Sequence, residues 1–288
     1  MQKNPPVTKA VIPVGGLGIR FLPVTRTVPK PLLPILNVPV IEYAVREAAA
    51  AGITDIAIVM SHGMEPVADY FHRQPKLEAQ LKQRGEDGVL DAQIELASLA
   101  NVITIFQDEP KGPGHAILQA QEFCDGEPFI TIFPDDVIIN RPSATEQLIK
   151  VYKKHGGSVI GVNEAKKEVI PTKGIIGGKP VSDGVHTVET LVEKPAVEDA
   201  PSNLAIVARY ILDNRVFDHL TMEVPGANNE IQITDAIAAL IGISPVHAVT
   251  LIGFHADTGN PGGMLEAAIY LAKQDPALSD VVNKALGK

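Results

Sequence analysis

The sequence contains no tryptophan, only one cysteine, and few aromatic residues, which make up 5% of its 288 residues. A single cysteine, Cys124, cannot form an intrachain disulfide or a cysteine-based zinc site, and this suits a reducing compartment. No uncharged apolar run approaches the roughly 18 residues that a membrane-spanning helix needs. The chain also does not open with the charged, apolar and cleavage-site pattern of a secretion signal. We therefore expect a cytoplasmic protein that does not insert into a membrane.

The sequence also lacks an excess of basic residues. It has 25 Lys and Arg against 34 Asp and Glu, a formal net charge of −9. Broad binding of nucleic acid or of an anionic membrane needs a basic face, so we expect neither partner. With 45% hydrophobic residues, the chain can bury a substantial core, either as one large domain or as one with a small appendage. If its ligands are anionic, a few well-placed cations must oppose the overall charge.

The most informative segment covers residues 9–34, KAVIPVGGLGIRFLPVTRTVPKPLLP. It opens with an apolar run, residues 10–14, that is typical of a buried strand in a parallel sheet. Glycines then allow a sharp turn whose N–H groups can approach an anion or a flat base, and cations flank the turn. These residues are Gly15, Gly16, Gly18, Arg20 and Lys30. The combination predicts a binding site for a nucleoside triphosphate.

Two common glycine motifs do not fit this segment. A dinucleotide-binding fingerprint that began at Gly16 would need glycine at position 21, which is Phe21, and Pro23 and Pro29 prevent an immediate long helix. No segment matches the phosphate-binding pattern G-x-x-x-x-G-K-[ST]. The remaining alternative is a glycine-rich turn that binds no ligand.

Hydrophobic patterning predicts alternating strands and helices in the first half of the chain. Such alternation indicates a parallel sheet with helices on both faces, and ligands bind such sheets at the carboxyl ends of the strands. We expect strands at 10–14, 55–60, 102–106 and 129–133, helices at 40–51, 64–71, 76–84 and 115–124, and a solvated excursion at 84–91.

Polar residues follow the third strand in QDEPKGPGH. The side-chain amide of Gln107 offers a donor and an acceptor together, which matches the O4 and N3–H edge of uracil, and the backbone of Gly112 could complete the pairing. The alternative is a polar loop that leads into a helix. This pairing does not separate uracil from thymine, which differs only by a methyl group.

Carboxylates follow two apolar runs. Asp135 and Asp136 come after the fourth strand, and Asp257 comes after the run at 249–254. Carboxylates at such positions suit Mg²⁺, which takes one or two of them together with phosphate oxygens. A lone pair of aspartates is otherwise a helix cap or a turn.

The second half of the chain begins at residues 157–162. Its pattern of apolar segments and turns predicts a mixed or antiparallel extension of the sheet, with strand-like segments at 174–176, 186–192 and 204–211. In Glu193-Lys194-Pro195 the carboxylate suits sugar hydroxyls and the ammonium suits a phosphate, although an exposed charge pair is the alternative. Glu230 lies before a capping pattern, so it could contact a sugar or only mark a helix entry. An apolar-periodic helix at 261–274 and a tail at 276–288 follow.

The segments GGLGIRFLP and PKPLLP resemble the signature of the sugar-1-phosphate nucleotidylyltransferase family. EPFITIFPDDVI, VEKP, APSNLAIVARYIL, NNEIQITDAI and DTGN resemble its bacterial UTP:glucose-1-phosphate uridylyltransferase branch, in the family's order and over nearly the whole chain. The resemblance implies a Rossmann-like, three-layer α/β/α fold with a mixed, mainly parallel sheet and a sugar-binding extension. It also implies a nucleotide-binding half at 9–140, a sugar-binding half at 157–260 and a C-terminal helical segment at 261–288.

The same resemblance implies a reaction and a set of site residues. UMP would pass from UTP to α-D-glucose 1-phosphate, giving UDP-glucose and pyrophosphate, with Mg²⁺ as cofactor and a homodimer or homotetramer as the assembly. The implied catalytic residues are Arg20, Lys30 and Lys194, and the implied metal ligands are Asp135 and Asp257, supported by Asp136. The implied nucleotide-binding residues are Val14, Gly15, Gly16, Gly18, Gln107 and Gly112. The implied sugar-binding residues are Gly174, Glu193, Lys194, Asn203, Val207 and Glu230.

Several positions depart from the family pattern: Ile19, Pro31, Lys173, Ala208 and Pro261. Ile19 replaces the usual Thr or Ser, so one hydroxyl contact to the nucleotide would be missing. These departures leave two alternatives open beside the uridylyltransferase. One is a nucleotidylyltransferase for a different base or sugar, for example one that uses dTTP, and the other is a regulatory paralogue without catalysis.

Overall fold

Strands and helices alternate along the residues that the computed structural model describes, which are 4–222, 224–226 and 229–287. The strands are β1 (Lys9–Pro13), β2 (Pro34–Ile35), β3 (Val38–Pro39), β4 (Asp55–Met60), β5 (Asn101–Phe106), β6 (Phe129–Ile132), β7 (Asp136–Ile139), β8 (Ser158–Glu164), β9 (Gly174–Ser182), β10 (Val185–Glu193), β11 (Leu204–Leu212), β12 (Val246–Thr250) and β13 (Phe254–Asp257). The helices are α1 (Val40–Ala50), α2 (Pro66–Asp69), α3 (Pro75–Arg84), α4 (Asp87–Leu96), α5 (Pro113–Leu118), α6 (Gln121–Cys124), α7 (Ala144–His155), α8 (Val216–Leu220), α9 (Ile233–Leu240), α10 (Pro261–Gln274) and α11 (Pro276–Ala285). Lys288 of the predicted tail and Asn228 of the quoted NNEIQITDAI segment lie outside the described residues.

The central sheet has nine strands in the order β5-β4-β1-β6-β11-β8-β12-β10-β9. β1 pairs in parallel with β4 and β6, and β4 pairs in parallel with β5. β11 runs antiparallel to both β6 and β8, and β10 runs antiparallel to both β12 and β9. The expected α/β fold with a mixed, mainly parallel sheet is confirmed, and one continuous sheet joins strands from both predicted halves.

Helices cover both faces of this sheet because its inner strands are apolar on both sides. On β1, Ile12 packs with α1, α2 and α7, whereas Val11 packs on the opposite face with α5, α6, α8 and α9. Both side chains are fully buried. The three-layer arrangement therefore follows from a short strand whose residues after Lys9 are all apolar and buried.

A separate two-stranded ribbon of β7 and β13 carries Asp136 and Asp257. The strands are antiparallel, and Asp257 lies opposite Asp136. Their apolar side chains Val137 and Ala256 join a small core that also includes Ala267 of α10. The ribbon thus brings the segments after β6 and after β12 to the same edge of the molecule.

The structure corrects several predicted elements. Residues 84–91 are not only a solvated excursion, because α4 begins within them at Asp87. The predicted run at 249–254 is not one strand: Gly253, at φ 141°, separates β12 from β13, which leaves the main sheet. The predicted helix at 115–124 is divided into α5 and α6, and α7 was not predicted. Within the described residues no helix has the length and apolar character that crossing a membrane would require.

Candidate active site

A cavity of about 780 Å³ opens at the carboxyl ends of β1, β5 and β6. This is the edge at which parallel α/β sheets bind ligands, because the loops after the strands diverge there. The predicted nucleotide-binding residues and two of the predicted cations line it: Val14, Gly15, Gly16, Gly18, Gln107, Gly112, Arg20 and Lys30. The structure therefore brings these eight residues together.

The glycine loop turns back at Gly18, which has φ 63°. A Cβ there would lie 2.9 Å from the methyl carbon of Thr25, whose hydroxyl donates a hydrogen bond to the Gly18 carbonyl. A larger residue would therefore meet both backbone strain and a close contact. The turn leads directly into a short 3-10 helix, Ile19–Phe21, which presents Arg20 to the cavity.

Gln107 presents one side of its amide to this cavity. Its side-chain nitrogen donates to the carbonyl oxygen of Gly112 at 3.2 Å and contacts Nδ1 of His115 at 2.9 Å. Its Oε1 faces Gly15, since it lies 3.2 Å from the position of a Cβ on that glycine. The amide nitrogen is thus held by the protein, and Oε1 faces the glycine loop that lines the cavity. His115 was not predicted as a site residue, because a lone histidine in a helix carries no sequence signal.

Charged groups converge beside Gly259. Nζ of Lys30 lies 2.7 Å from Oδ2 of Asp135. A Cβ built on Gly259 would lie 2.7 Å from Oδ1 of Asp257, 3.2 Å from Oδ2 of Asp135 and 3.3 Å from Nζ of Lys30. The two carboxylate oxygens are thus near neighbours, although 122 positions separate them in the chain, as their residue numbers show. Only a glycine leaves this small space open.

Backbone hydrogen bonds hold the two aspartate segments together. The carbonyl oxygen of Asp135 accepts from the backbone N–H of Thr258 at 2.7 Å and from its hydroxyl at 2.9 Å. The N–H of Gly259 donates to Oδ1 of Asp257 at 2.9 Å. The pairing of β7 with β13 extends this contact, so the two carboxylates are fixed relative to each other by main-chain structure.

The space beside Gly259, next to Asp135 and Asp257, suits a hard cation. Within the described residues no group of three or more His, Cys, Asp or Glu side chains could hold a metal. Mg²⁺ does not need such a group, since it binds through one or two carboxylates and completes its shell with substrate phosphates and water. Asp135 and Asp257 supply two such oxygens beside Gly259, and the ammonium of Lys30 offsets part of their charge. Of the two aspartates, only Asp135 lines the cavities. The residues therefore fit Mg²⁺.

The side chain of Asp136 contacts a different set of charged groups, His255 and Lys173, and is itself buried. Its Oδ1 lies 2.6 Å from Nε2 of His255, and its Oδ2 lies 3.5 Å from Nζ of Lys173. Burial raises the pKa of the Asp136 carboxyl, but the hydrogen bond from His255 and the charges of Lys173, His255 and Arg209 outweigh it and leave the pKa below its usual range. Asp136 is thus a structural carboxylate that anchors the loop, and its support of the metal ligands stays a prediction.

A second cavity of about 260 Å³ adjoins the first. Asp135 and Glu230 line both. Nζ of Lys194 lies 3.1 Å from Oε1 of Glu193, and both side chains face this second space. Gly174 is packed against them, since a Cβ on it would lie 3.1 Å from Oε2 of Glu193. Four of the predicted sugar-side residues, Gly174, Glu193, Lys194 and Glu230, are therefore brought together.

Asn203 and Val207 do not line either cavity. Val207 is buried in the core on the other face of β11, and the neighbouring Ile206 and Ala208 line the second cavity instead. Asn203 is exposed just before β11, and its carbonyl accepts from the N–H of Ala165. A sugar-binding role for these two residues stays a prediction.

The positions that depart from the family pattern lie around the site. Ile19 and Pro31 line the first cavity, and Lys173 and Ala208 line the second. Pro261 is the first residue of α10, after Asn260, whose side chain caps the helix. Proline suits that position because its missing N–H would have no partner there anyway.

Comparisons with known proteins agree with this geometry. A family model described as nucleotidyl transferase matches residues 9–274. A Staphylococcus haemolyticus protein named UTP–glucose-1-phosphate uridylyltransferase is 42% identical over 278 residues, covering 96% of this chain and 96% of that protein. A Bacillus subtilis protein named UTP–glucose-1-phosphate uridylyltransferase YngB is 40% identical over 272 residues, covering 94% of this chain and 92% of that protein.

Two solved structures are also similar. A UDP-glucose pyrophosphorylase in complex with UDP-glucose has a TM-score of 0.85 and 36% identity, and covers 94% of this chain and 100% of that one. A UTP-bound UGPase from Acinetobacter baumannii has a TM-score of 0.89 and 30% identity, and covers 98% of this chain and 99% of that one. Sequence and structure thus agree over nearly the whole chain.

Proposed function

The chain belongs to the nucleotidyl transferase family, and from this membership we propose that it transfers UMP from UTP to α-D-glucose 1-phosphate, giving UDP-glucose and pyrophosphate. The named relatives and the UDP-glucose pyrophosphorylase structures support this reaction. UTP occupies the larger cavity, and glucose 1-phosphate occupies the smaller one. Asp135 and Glu230 lie at the border of the two.

The reaction forms one phosphorus–oxygen bond and breaks another. A phosphate oxygen of glucose 1-phosphate attacks the α-phosphorus of UTP, and the bond from that phosphorus to the bridging oxygen of the β-phosphate breaks. The electron pair leaves with pyrophosphate. The attacking phosphate is already anionic, so no side chain has to act as a nucleophile. The main task is to align two polyanions, and positioning together with charge neutralisation supplies most of the rate.

In this proposal the cationic side chains contact phosphate groups, and two carboxylates contact the sugar. Arg20 stabilises the departing pyrophosphate, Lys30 contacts the triphosphate beside Asp135, and Lys194 holds the phosphate of the sugar. Each cation offsets part of the repulsion between the two substrates in a protein whose net charge is −9. Glu193 and Glu230 accept hydrogen bonds from sugar hydroxyls.

The base is read by the amide oxygen that Gln107 directs into the cavity. This oxygen accepts from N3–H of uracil, and the backbone at Gly112 completes the pairing through O4. Cytosine has an acceptor at N3, so it would place two acceptors face to face. Thymine would pair as uracil does, and the choice between UTP and dTTP depends on space around the C5 methyl.

Asp135 and Asp257 are the proposed ligands of Mg²⁺. When bound, Mg²⁺ supplies positive charge that neutralises phosphate oxygens as negative charge shifts towards the leaving group. The observation that carries the whole proposal is that both carboxylates and Lys30 lie around Gly259, which lines the larger cavity.

A pyrophosphate-release assay over UTP, dTTP, CTP, ATP and GTP with several sugar 1-phosphates tests the function. We expect turnover with UTP and glucose 1-phosphate that depends on added Mg²⁺. Strong preference for another base or sugar would reassign the substrates. A lack of turnover over the whole panel, with the protein folded, would indicate a regulatory paralogue.

Asp135→Asn and Asp257→Asn test the metal ligands. Each replaces a carboxylate by an amide of the same shape, and each should reduce metal-dependent turnover by at least about 100-fold, since a charged ligand is lost. Asp91→Asn, on the exposed surface of α4, is the matched control and should leave turnover unchanged. Near-normal activity of both site variants would overturn the assignment.

A cytoplasmic location and a homodimeric or homotetrameric assembly complete the proposal. Both rest on the sequence and on the resemblance to the uridylyltransferase branch. Cell fractionation and light scattering of the purified protein measure them directly.

A further inference from the structure

The largest fully buried side chain in the described part of the chain is that of Arg209, which is 1% exposed. It lies on β11, between the sheet and the loop that carries Asp135. A buried guanidinium is costly unless its charge is paired and its five N–H groups all find acceptors. In this structure all five do.

One side of the guanidinium binds Glu47 on α1. Nε lies 3.0 and 3.2 Å from the two carboxylate oxygens, and Nη2 lies 2.9 Å from Oε2. Oε1 of Glu47 also accepts from the N–H and the hydroxyl of Thr145, in the first turn of α7. The ion pair therefore ties β11 to two helices on the same face of the sheet.

The other side of the guanidinium binds main-chain carbonyls around Asp135. Nη1 donates to the carbonyl of Phe133 at 3.0 Å and to that of Ala208 at 3.3 Å, and Nη2 donates to the carbonyl of Asp136 at 2.7 Å. Ala208 also accepts from the N–H of Phe133. Arg209 therefore holds the backbone on both sides of Asp135, whose side chain pairs with Lys30 and lines both cavities.

The second aspartate is linked to the same unit. The carbonyl of Asp135 is bound by Thr258, which directly follows Asp257. Movement of the 133–136 loop would therefore change the distance between the two carboxylates. Glu47 pairs with the charge of Arg209, so we expect Arg209 to influence the two metal-ligand aspartates mainly through the position of this loop.

We propose that Arg209, held by Glu47, is a positioning residue for catalysis: its guanidinium fixes the 133–136 loop so that Asp135 and Asp257 face one cation. The kinetic part of this proposal rests on the proposed function, whereas its structural part does not. Lysine cannot replace arginine here, because a single ammonium cannot bind a carboxylate and three separate carbonyls in a plane.

The test compares Arg209→Lys with Leu240→Ala, a control in the core at the end of α9 that touches neither aspartate segment. Hydrogen exchange followed by mass spectrometry measures how fast the backbone N–H groups of Asp136 and Thr258 exchange. These groups donate to the carbonyl oxygens of Phe133 and Asp135. Arg209→Lys should accelerate exchange in both segments by at least about tenfold relative to the control at matched global stability. This readout needs neither substrate nor metal.

Kinetics then show whether the loop position matters for the reaction. We expect kcat of Arg209→Lys to fall about 10- to 100-fold, as for other residues that orient metal ligands, while the KM for UTP changes less than about threefold. Binding of Mn²⁺ in the presence of UTP, followed by electron paramagnetic resonance, should weaken by about tenfold. The control should retain kcat and Mn²⁺ affinity.

Thr145→Val provides a milder variant in case Arg209→Lys does not fold. It removes one hydrogen bond to Glu47, and it should shift exchange in the same two segments and kcat in the same direction by a smaller factor. Loop exchange no faster than in the control would overturn the proposal. So would faster exchange with unchanged kcat and Mn²⁺ affinity in an enzyme that is active with UTP.

Discussion

Gly259 lies close to three charged side chains of the site, those of Asp257, Asp135 and Lys30. We predict that Gly259→Ala abolishes most of the activity without unfolding the protein. Its methyl group would lie 2.7 Å from Oδ1 of Asp257 and 3.2 Å from Oδ2 of Asp135, so both carboxylates would have to turn away. Turnover should fall by at least about 100-fold, which is the scale of a misplaced catalytic group. A pyrophosphate-release assay at saturating substrates measures this.

Gly88 offers the matched control for that substitution. It lies in α4, and a Cβ there would meet nothing within 4 Å. Gly88→Ala should keep full turnover and raise the free energy of unfolding by roughly 0.5–1 kcal/mol, because alanine favours helix. Full turnover of Gly259→Ala, or an equal loss in both variants, would contradict the role assigned to this open space.

Ala208 has a left-handed backbone, with φ 49°, at the irregularity where β11 shifts register against β8. This conformation costs an L-residue more than glycine. Ala208→Gly should therefore raise the free energy of unfolding by about 0.5–1 kcal/mol, after the greater flexibility of glycine in the unfolded chain is counted. In urea unfolding, this gain appears as a higher urea concentration at the midpoint with an unchanged m-value.

Ala92, on the exposed side of α4, gives the opposite control. Ala92→Gly should lower the free energy of unfolding by about 1 kcal/mol, since glycine disfavours helix. If both substitutions destabilised the protein equally, the strain assigned to Ala208 would be wrong.

Among the secondary-structure elements, α7 begins with a complete capping box. The side chain of Ser143 accepts from the N–H of Glu146, and the Glu146 carboxylate accepts from the N–H of Ser143. We predict that Ser143→Ala lowers the free energy of unfolding by about 1 kcal/mol. Glu146→Gln keeps an acceptor at the same place and should cost less. Thermal and urea unfolding give the free energy of unfolding of both variants. A larger loss for Glu146→Gln than for Ser143→Ala would contradict the capping assignment.

The sequence predicted the elements best where one local pattern decides the structure. The apolar runs of β1, β4 and β6 were found with bounds close to those observed, since strands buried on both faces are continuously apolar. The start of α4 was missed because its charged, largely exposed residues carry no strong apolar period. The run at 249–254 was predicted as one strand because the sharp turn at Gly253 depends on pairing with β7, which no local pattern shows.

The same reasoning explains which site residues could be found from the sequence. Gln107 and Asp135 directly follow apolar strands, and the general rule for parallel sheets places such residues at one edge. Their supports could not be found in this way. The pair of Arg209 and Glu47 spans 162 positions, and the role of His115 depends on a helix that packs beside Gln107. Only the tertiary structure brings these groups together.

For the molecule as a whole, Cys124 reports on global stability. It is fully buried at the end of α6, and burial raises the pKa of its thiol to about 12; the charge of Lys9 lowers this pKa by a smaller amount, and the charge of Glu127 raises it. An unfolded chain has a cysteine pKa near 8.5. Between these two pKa values, the thiol therefore stays protonated in the folded state and loses its proton in the unfolded state. This contribution to stability is fully present below about pH 8.5 and is lost as the pH rises above it.

We predict that the free energy of unfolding falls between about pH 8.5 and 9.5, by at most about 1.4 kcal/mol for this one group. Cys124→Ala lacks the titrating thiol, so its stability should change less over the same interval, and urea unfolding of both proteins at several pH values measures the difference. A thiol reagent should also leave native Cys124 unmodified for hours at pH 8, because only about one thiol in ten thousand is ionised at a pKa near 12. Equal pH slopes in the two proteins, or rapid labelling without denaturant, would show that α6 opens independently of the rest of the fold.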